Sequence, residues 1–241
     1  MSLNFTQVIL KPQQIQAYNY TNLAAILPAY NEAGRVGKVV RILRQVELLD
    51  EIIVVDDGSV DGTSAETLDA AAGDGRLSLL RHKINCGKGQ AILSGWQATR
   101  AANLLFLDAD LINLEHRHII ALAEPVLNDW ADMTVGLFRQ GYWRTDLAHR
   151  LTPWLSGQRC LRAGLLSSLS MRAAAGYGFE TALSLAARKQ GWRCEDVYLW
   201  GVSHLPGDVA DGWRGPFNKV RMYAHILRAW CVFYLGLGQE L

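Results

Sequence analysis

Neither sign of charge dominates this sequence, cysteine is scarce, and no apolar run is long. With 24 Lys+Arg against 23 Asp+Glu the formal net charge is +1. Nucleic-acid binding normally shows as a strongly basic face or domain, and this balance gives no argument for one. Any charged ligand must be met by local groups. The four cysteines, Cys86, Cys160, Cys194 and Cys231, form no C-x-x-C pair, which argues against a zinc knuckle or a disulfide framework and for free thiols in a reducing cytoplasm. The longest apolar run near the C-terminus, Ala229 to Gly238, is about half of the roughly 20 residues a spanning helix needs. The N-terminus lacks the basic start and continuous apolar stretch of a signal peptide. The expectation is a cytoplasmic protein, with contact at the inner face of a membrane left open.

Apolar residues are plentiful. Half of the 241 residues are hydrophobic and a fifth are charged, enough to bury a sizeable core and unlike a disordered or fibrous chain. No repeat or low-complexity linker divides it. We expect an N-terminal extension over 1–20, one domain over 21–215 and a helical C-terminal segment over 216–241 that packs on the domain or on a partner.

Short β-type runs alternate with helical patterns. "LAAILP" reads as a buried strand, followed by Val36, Val39, Val40, Leu43 and Val46 at helical spacing. The unit recurs: "EIIVVDDGS" then a helix over Asp61 to Ala72, "RLSLL" then a helix over Gly89 to Ala101, and "NLLFLDAD" then a helix to about Asn128 and a strand around "DMTVGL". That alternation predicts an α/β fold with a mostly parallel sheet covered by helices on both faces.

In such sheets the ligand lies beyond the carboxyl ends of the strands. Three of these strands end in distinctive polar groups: Tyr30, Asn31 and Glu32; Asp56 and Asp57; Asp108 and Asp110. Turn and helix caps are the plain alternative for any one of them, Asp56 and Ser59 above all. Five carboxylates at three neighbouring strand ends exceed what caps require. Asp108 and Asp110 share a face of an extended chain, and mutual repulsion would raise carboxylate pKa values unless a cation were present. A hard divalent ion, Mg²⁺ or Mn²⁺, fits oxygen ligands of this kind better than zinc, and such ions complete their shell with phosphate oxygens and water.

"AILPAYNEAGRV", "IIVVDDGSVDGT", "NCGKGQAILSGW" and "LLFLDADL" stand in the order and at about the spacing of the family 2 glycosyltransferases of GT-A (Rossmann-like) fold, and the chain resembles bacterial relatives of the dolichol-phosphate sugar synthases in particular. Looser similarity continues through "SGQRCLR" and "GYGFETALSLAARKQG". The resemblance implies a nucleotide-sugar donor whose base and ribose meet Pro28, Tyr30, Glu32 and Asp57, with Lys88 approaching the nucleotide between Gly87 and Gly89. It implies that Asp108 and Asp110 bind ribose and the metal, that His204 in "GVSHLPGD" is a further metal ligand opposite Asp110, and that Glu180 is the general base. Arg159 in "SGQRCLR" would contact a phosphate or the acceptor, solvated helix charge being the bland alternative. The reaction implied is inverting transfer of a sugar from a UDP- or GDP-sugar to a lipid-phosphate (polyprenyl phosphate) or hydroxyl acceptor.

Other readings fit less well. "GKGQAI" lacks the third glycine of a dinucleotide-binding G-x-G-x-x-G, Ile92 standing there, and no P-loop pattern exists because Gly89 follows Lys88. "LPAYNEAGRVGKV" is not the basic glycine-rich loop of a nucleotidyltransferase. A catalytically inactive relative that binds nucleotide or protein is the remaining alternative. Basic and aromatic residues mix in "FRQGYWRTDLAHRLTPW" and near the C-terminus, where a homodimer contact or core packing is favoured over peripheral membrane contact.

Overall fold

The structure is a computed structural model that describes residues 6–8, 22–140, 156–168 and 179–204. The expected C-terminal segment, the basic-aromatic stretch from 141 to 155 and all of the N-terminal extension except Thr6–Val8 lie outside the described residues.

The described chain opens with β1 (Thr6–Val8) and β2 (Leu23–Ala29), then alternates α1 (Val36–Leu43), β3 (Glu51–Asp56), α2 (Thr63–Ala71), β4 (Leu77–Arg81), α3 (Lys88–Gln97) and β5 (Asn103–Phe106). A short β6 (Leu111–Ile112), α4 (His116–Leu127) and β7 (Met133–Arg139) follow. The last elements are β8 (Arg159–Arg162), a 3-10 helix (Ala163–Ser168), α5 (Phe179–Gln190), β9 (Cys194–Trp200) and β10 (Ser203–His204). Eight strands form one sheet in the order β1-β4-β3-β2-β5-β8-β7-β9, while β6 and β10 pair as a separate ribbon. Only β1 and β8 run against the other six strands of the sheet. The expected α/β sheet, mostly parallel, is therefore present.

Strand periodicity accounts for its two covered faces. Leu23, Ala25, Leu27 and Ala29 of β2 join Val36, Val39, Val40 and Leu43 of α1 and Ile119, Leu122 and Val126 of α4 in one apolar layer. Ala24 and Ile26 point the other way, with Ala91 and Ile92 of α3 and Phe179, Leu183 and Ala187 of α5. Each fully buried Val, Leu or Ile contributes roughly 1.5–3 kcal/mol of transfer free energy, so both layers hold the sheet firmly under the loops at its edge. Close approach of α3 to β2 requires Gly95, where a Cβ would lie 2.5 Å from Ile26 Cγ2.

Two features of the topology set up the site. Between β2 and β5 the strand order reverses, because the chain moves outward through β3 and β4 and returns on the other side of β2; such a reversal opens a crevice at the carboxyl ends. Register supplies the second. β8 pairs antiparallel with β5 so that Phe106 faces Arg159, and continuing that register by two residues sets Asp108 opposite Gly157.

Candidate active site

The loop from Tyr30 to Val36 is held by side chains of the next loop and helix. Asn31, with φ +56°, donates its amide to Ser59 Oγ (2.9 Å), and Glu32 N donates to Thr63 Oγ1 (2.8 Å). Ala33 N donates to Asp61 Oδ2 at 3.2 Å, and Glu66 accepts from Gly34 N and, at 3.0 Å, from Gly37 N. No side chain of its own caps α1. Glu66 of α2 instead satisfies amides at that helix start that would otherwise lack partners. Asp56 is a buried cap, accepting from Ser59 N (2.8 Å) and from the Ser64 hydroxyl, as the plain reading of that pair had it.

Asp57 is placed differently from a simple ligand group. Its carboxylate is buried and accepts from Cys86 N (2.9 Å) and Gly87 N (2.7 Å), and it lies 2.6 Å from His82 Nδ1. His82 Nε2 in turn lies 3.0 Å from Ser94 Oγ. These bonds fix the start of α3, where Gly87 sits at φ +92°, a region that favours glycine. Asp57 thereby aims Lys88. Asp57, His82 and Cys86 bring oxygen, nitrogen and sulfur donors within 4.8 Å of one another, but hydrogen bonds already close that group.

Lys88 Nζ sits 2.7 Å from both Asp108 Oδ1 and Glu180 Oε1. Glu180 reaches it from the first turn of α5, which is anchored by Phe179 standing edge-on to Phe106 at 5.4 Å between ring centroids. Gln158 Nε2 donates to Asp108 Oδ2 at 2.7 Å. At Gly157 a Cβ would fall 2.7 Å from Lys88 Nζ and 2.8 Å from both Asp108 carboxylate oxygens. Position 157 must carry no side chain if these groups are to meet.

The β6–β10 ribbon brings in a distant histidine. Leu111 pairs with His204, so the imidazole stands beside the preceding residue, with His204 Nδ1 2.9 Å from Asp110 Oδ1 and Nε2 3.6 Å from Asp108 Oδ2. Phe138 packs on the ring at 5.0 Å between centroids. Asp108, Asp110 and His204 each place one donor atom within 4.8 Å of the others, all half-buried.

Charge in the crevice is uneven. Although burial favours its neutral form, the ammonium of Lys88 and then His204 hold Asp108 down at about 2. Lys88 itself is raised, burial being outweighed by Asp108 and Glu180, and His204 is raised because Asp110 and Asp108 overcome burial. Glu32 moves the other way. Burial, then Asp110, push it up to about 7 against the pull of Arg35, and Asp108 adds to the rise. Arg35 Nε is 2.7 Å from Glu32 Oε2, a charge contact only, since that buried oxygen accepts no hydrogen bond. The expected repulsion among carboxylates thus falls on Glu32, while Lys88 relieves Asp108.

Of the residues picked from sequence, the fold unites Lys88, Asp108, Asp110, Glu180 and His204. Glu32 borders them, whereas Pro28 is half-buried at the end of β2 and Tyr30 stands exposed beyond it. Arg159 is not brought to the crevice wall. It lies on strand β8 rather than on a helix, is 1% exposed, and donates to Ser156 O (2.8 Å) and Ser184 Oγ (3.0 Å). Burial pulls its guanidinium down to about 10, against the pull of Glu180, Cys194 and Asp196, which leaves it charged at neutral pH. Sequence reasoning missed Gly157, Gln158, His82 and Glu66. The first two sit inside "SGQRCLR", so the segment was in view and only its register with β5 was not.

Comparison with known proteins bears on the family and the fold. The family model described as Glycosyl transferase family 2 matches residues 24–179, more than half of the chain. A glucosyl-3-phosphoglycerate synthase of Mycolicibacterium smegmatis is 31% identical over 123 residues, 49% of this chain and 41% of that protein. Dolichyl-phosphate beta-glucosyltransferase ALG5A of Trichomonas vaginalis is 37% identical over 97 residues, 36% of this chain and 30% of that protein. The chain thus spans less than half the length of these two curated relatives. Among solved structures, glucosyl-3-phosphoglycerate synthase from Mycobacterium tuberculosis in complex with Mn²⁺, uridine-diphosphate-glucose and phosphoglyceric acid superposes with a TM-score of 0.63 at 28% identity, covering 78% of this chain and 74% of that one. With a GT-A sheet, the strand-end carboxylates and this match in hand, the chain belongs to glycosyl transferase family 2.

Proposed function

We propose that this chain transfers a sugar from a nucleoside-diphosphate donor, a UDP- or GDP-sugar, to an acceptor, with inversion at the anomeric carbon. The observation that carries the reading is the joining of two groups through one residue: Asp108 belongs both to the cluster with Asp110 and His204 and to the ion pairs of Lys88 with Glu180. A donor set of two carboxylates and one imidazole on a half-buried surface suits Mg²⁺ or Mn²⁺, so Asp108, Asp110 and His204 would hold that ion. When bound, it would supply charge to a departing diphosphate.

The chain's own residues account for the remainder. Glu32, Tyr30 and Pro28 line the approach to the crevice, where a ribose and a base would meet a carboxylate and an aromatic face. Lys88 brings a fixed positive charge beside Asp108, and its ammonium lies 2.7 Å from Glu180 Oε1. With a hydroxyl acceptor, the acceptor oxygen forms the new bond to the anomeric carbon while its proton passes to the Glu180 carboxylate, and the carbon–oxygen bond to the diphosphate breaks with its electron pair leaving on the nucleotide. A lipid phosphate is already anionic, and for it Glu180 would orient rather than deprotonate. The phosphoglycerate and dolichyl-phosphate named for the relatives make an acceptor bearing a phosphate group the first class to try.

Release of UDP and GDP from a panel of their sugar conjugates, with Mn²⁺ and with phosphorylated and neutral acceptors, tests the proposal. Glu180→Gln should lower kcat by about 10²–10⁴-fold with a hydroxyl acceptor and leave donor KM close to that of the wild type. No transfer by the wild-type protein with any donor and acceptor would favour an inactive, nucleotide-binding relative.

A further inference from the structure

Glu180 and Asp108 belong to segments far apart in sequence, and a single buried side chain braces both. Arg159 Nε donates to Ser156 O at 2.8 Å, at the foot of the loop that carries Gly157 and Gln158 onto Asp108. Its Nη2 donates to Ser184 Oγ at 3.0 Å, and Ser184 Oγ donates to Glu180 O at 3.0 Å, in the first turn of α5. A third contact, Nη1 to Met133 Sδ at 3.7 Å, ties the guanidinium to β7. The contacts close into a ring: Asp108 to Lys88, Lys88 to Glu180, the helix backbone to Ser184, then Arg159, Ser156, Gln158 and back to Asp108.

We infer that Arg159 is a positioning residue, which sets the spacing between Glu180 and the Asp108–Lys88 pair by bracing α5 and the Gly157–Gln158 loop from beneath. A planar guanidinium is suited to the task because its donors diverge at fixed angles, so the helix and the loop are held in one relative position. Arg159 itself is 1% exposed, and it acts on the reaction through Glu180 and Asp108. The inference rests on the transferase reading given above.

Its test uses Arg159→Lys, Arg159→Met and Ser184→Ala in the full chain. A reacting group displaced by about an ångström can lose on the order of a hundredfold in rate. Arg159→Met should therefore lower kcat by about that factor, and Ser184→Ala, which keeps the arginine, by about tenfold. Donor KM and Mn²⁺-dependent nucleotide affinity should change by far less than kcat, because Asp108 keeps Lys88 and His204 as partners while Glu180 shifts. Arg159→Lys should recover part of the kcat lost in Arg159→Met. Should Arg159→Met fail to fold, the lysine and Ser184→Ala variants still decide. Wild-type kcat in both, or a fall in nucleotide affinity parallel to the fall in kcat, would overturn the inference. If the wild-type protein transfers no sugar at all, the transferase reading fails and the brace is read from amide hydrogen exchange. Faster exchange over residues 180–184 in Ser184→Ala and Arg159→Lys, with the β2–β5 core still protected, would support it; unchanged exchange would overturn it.

Discussion

At the scale of single residues, the absence of a side chain at 157 matters as much as any charge. Two strands in antiparallel register bring Gly157 onto Asp108, and the space a methyl would fill is occupied by Lys88 Nζ and both Asp108 oxygens. Gly157→Ala should therefore part Lys88 from Asp108 and lower kcat by about tenfold or more, in keeping with the cost of misplacing a catalytic group. Only the ends of side chains obstruct the methyl, so the melting temperature should move by a few degrees at most, about what 1 kcal/mol produces in a chain of this size. A large thermal shift with kinetics unchanged would show that the glycine serves the fold instead.

Individual carboxylates differ in how well sequence revealed them. Asp108 and Asp110 were legible because an apolar run that ends in two acids has few structural uses. Glu180 was found through its family motif, and its burial against Lys88 marks it off from an ordinary helix-start acid. Asp57 was expected to face the nucleotide, and its carboxylate is engaged with Cys86, Gly87 and His82. Nothing local in "VVDDGS" tells that its partners stand roughly thirty residues away.

At the scale of elements, the loops at the sheet edge are held by neighbours rather than by their own caps. Glu66 of α2 takes the amides of Gly34 and Gly37, and Asp57 takes those at the start of α3. Loss of a cap costs about 0.5–2 kcal/mol. Glu66→Ala should lower unfolding free energy by an amount in that range, measured by urea denaturation, and should loosen the Glu32 loop enough to weaken nucleotide binding. Unaltered stability would mean that solvent serves those amides equally well. Helix and strand identities followed from periodicity, whereas their ends did not: the pattern continued α1 to Val46 and α3 to Ala101, beyond the observed Leu43 and Gln97. Apolar residues in the turns after those helices still face the core, as Val46 and Ala101 do, so hydrophobic spacing outlasts the helical backbone.

Across the whole molecule, one edge of the sheet gathers the chemistry and the other parts keep it still. Among the described residues, no helix is long and apolar enough to cross a membrane. Far from the crevice, Arg193 hydrogen-bonds and pairs with Asp132, holding that carboxyl down at about 2, and also contacts Asp129. A depressed folded pKa stabilises the protein fully above the unfolded value of about 3.9 and loses that contribution as pH falls toward the folded value. Acid unfolding between about pH 4 and 2 should accordingly flatten in Asp132→Asn, with stability near pH 7 reduced toward the low-pH level of the wild type. Parallel pH–stability curves for the two proteins would contradict this.

The sheet edge itself offers the most direct test. Isothermal calorimetry of UDP and GDP with and without Mn²⁺, on the wild-type protein and on Asp110→Asn, asks whether Asp108, Asp110 and His204 form a metal-held diphosphate site. The account predicts binding of at least one nucleotide that strengthens at least tenfold with Mn²⁺ and loses that gain in Asp110→Asn, since neutralising one of the two carboxylate ligands removes most of the attraction for a hard cation. Nucleotide binding indifferent to Mn²⁺, or equal in the two proteins, would contradict it.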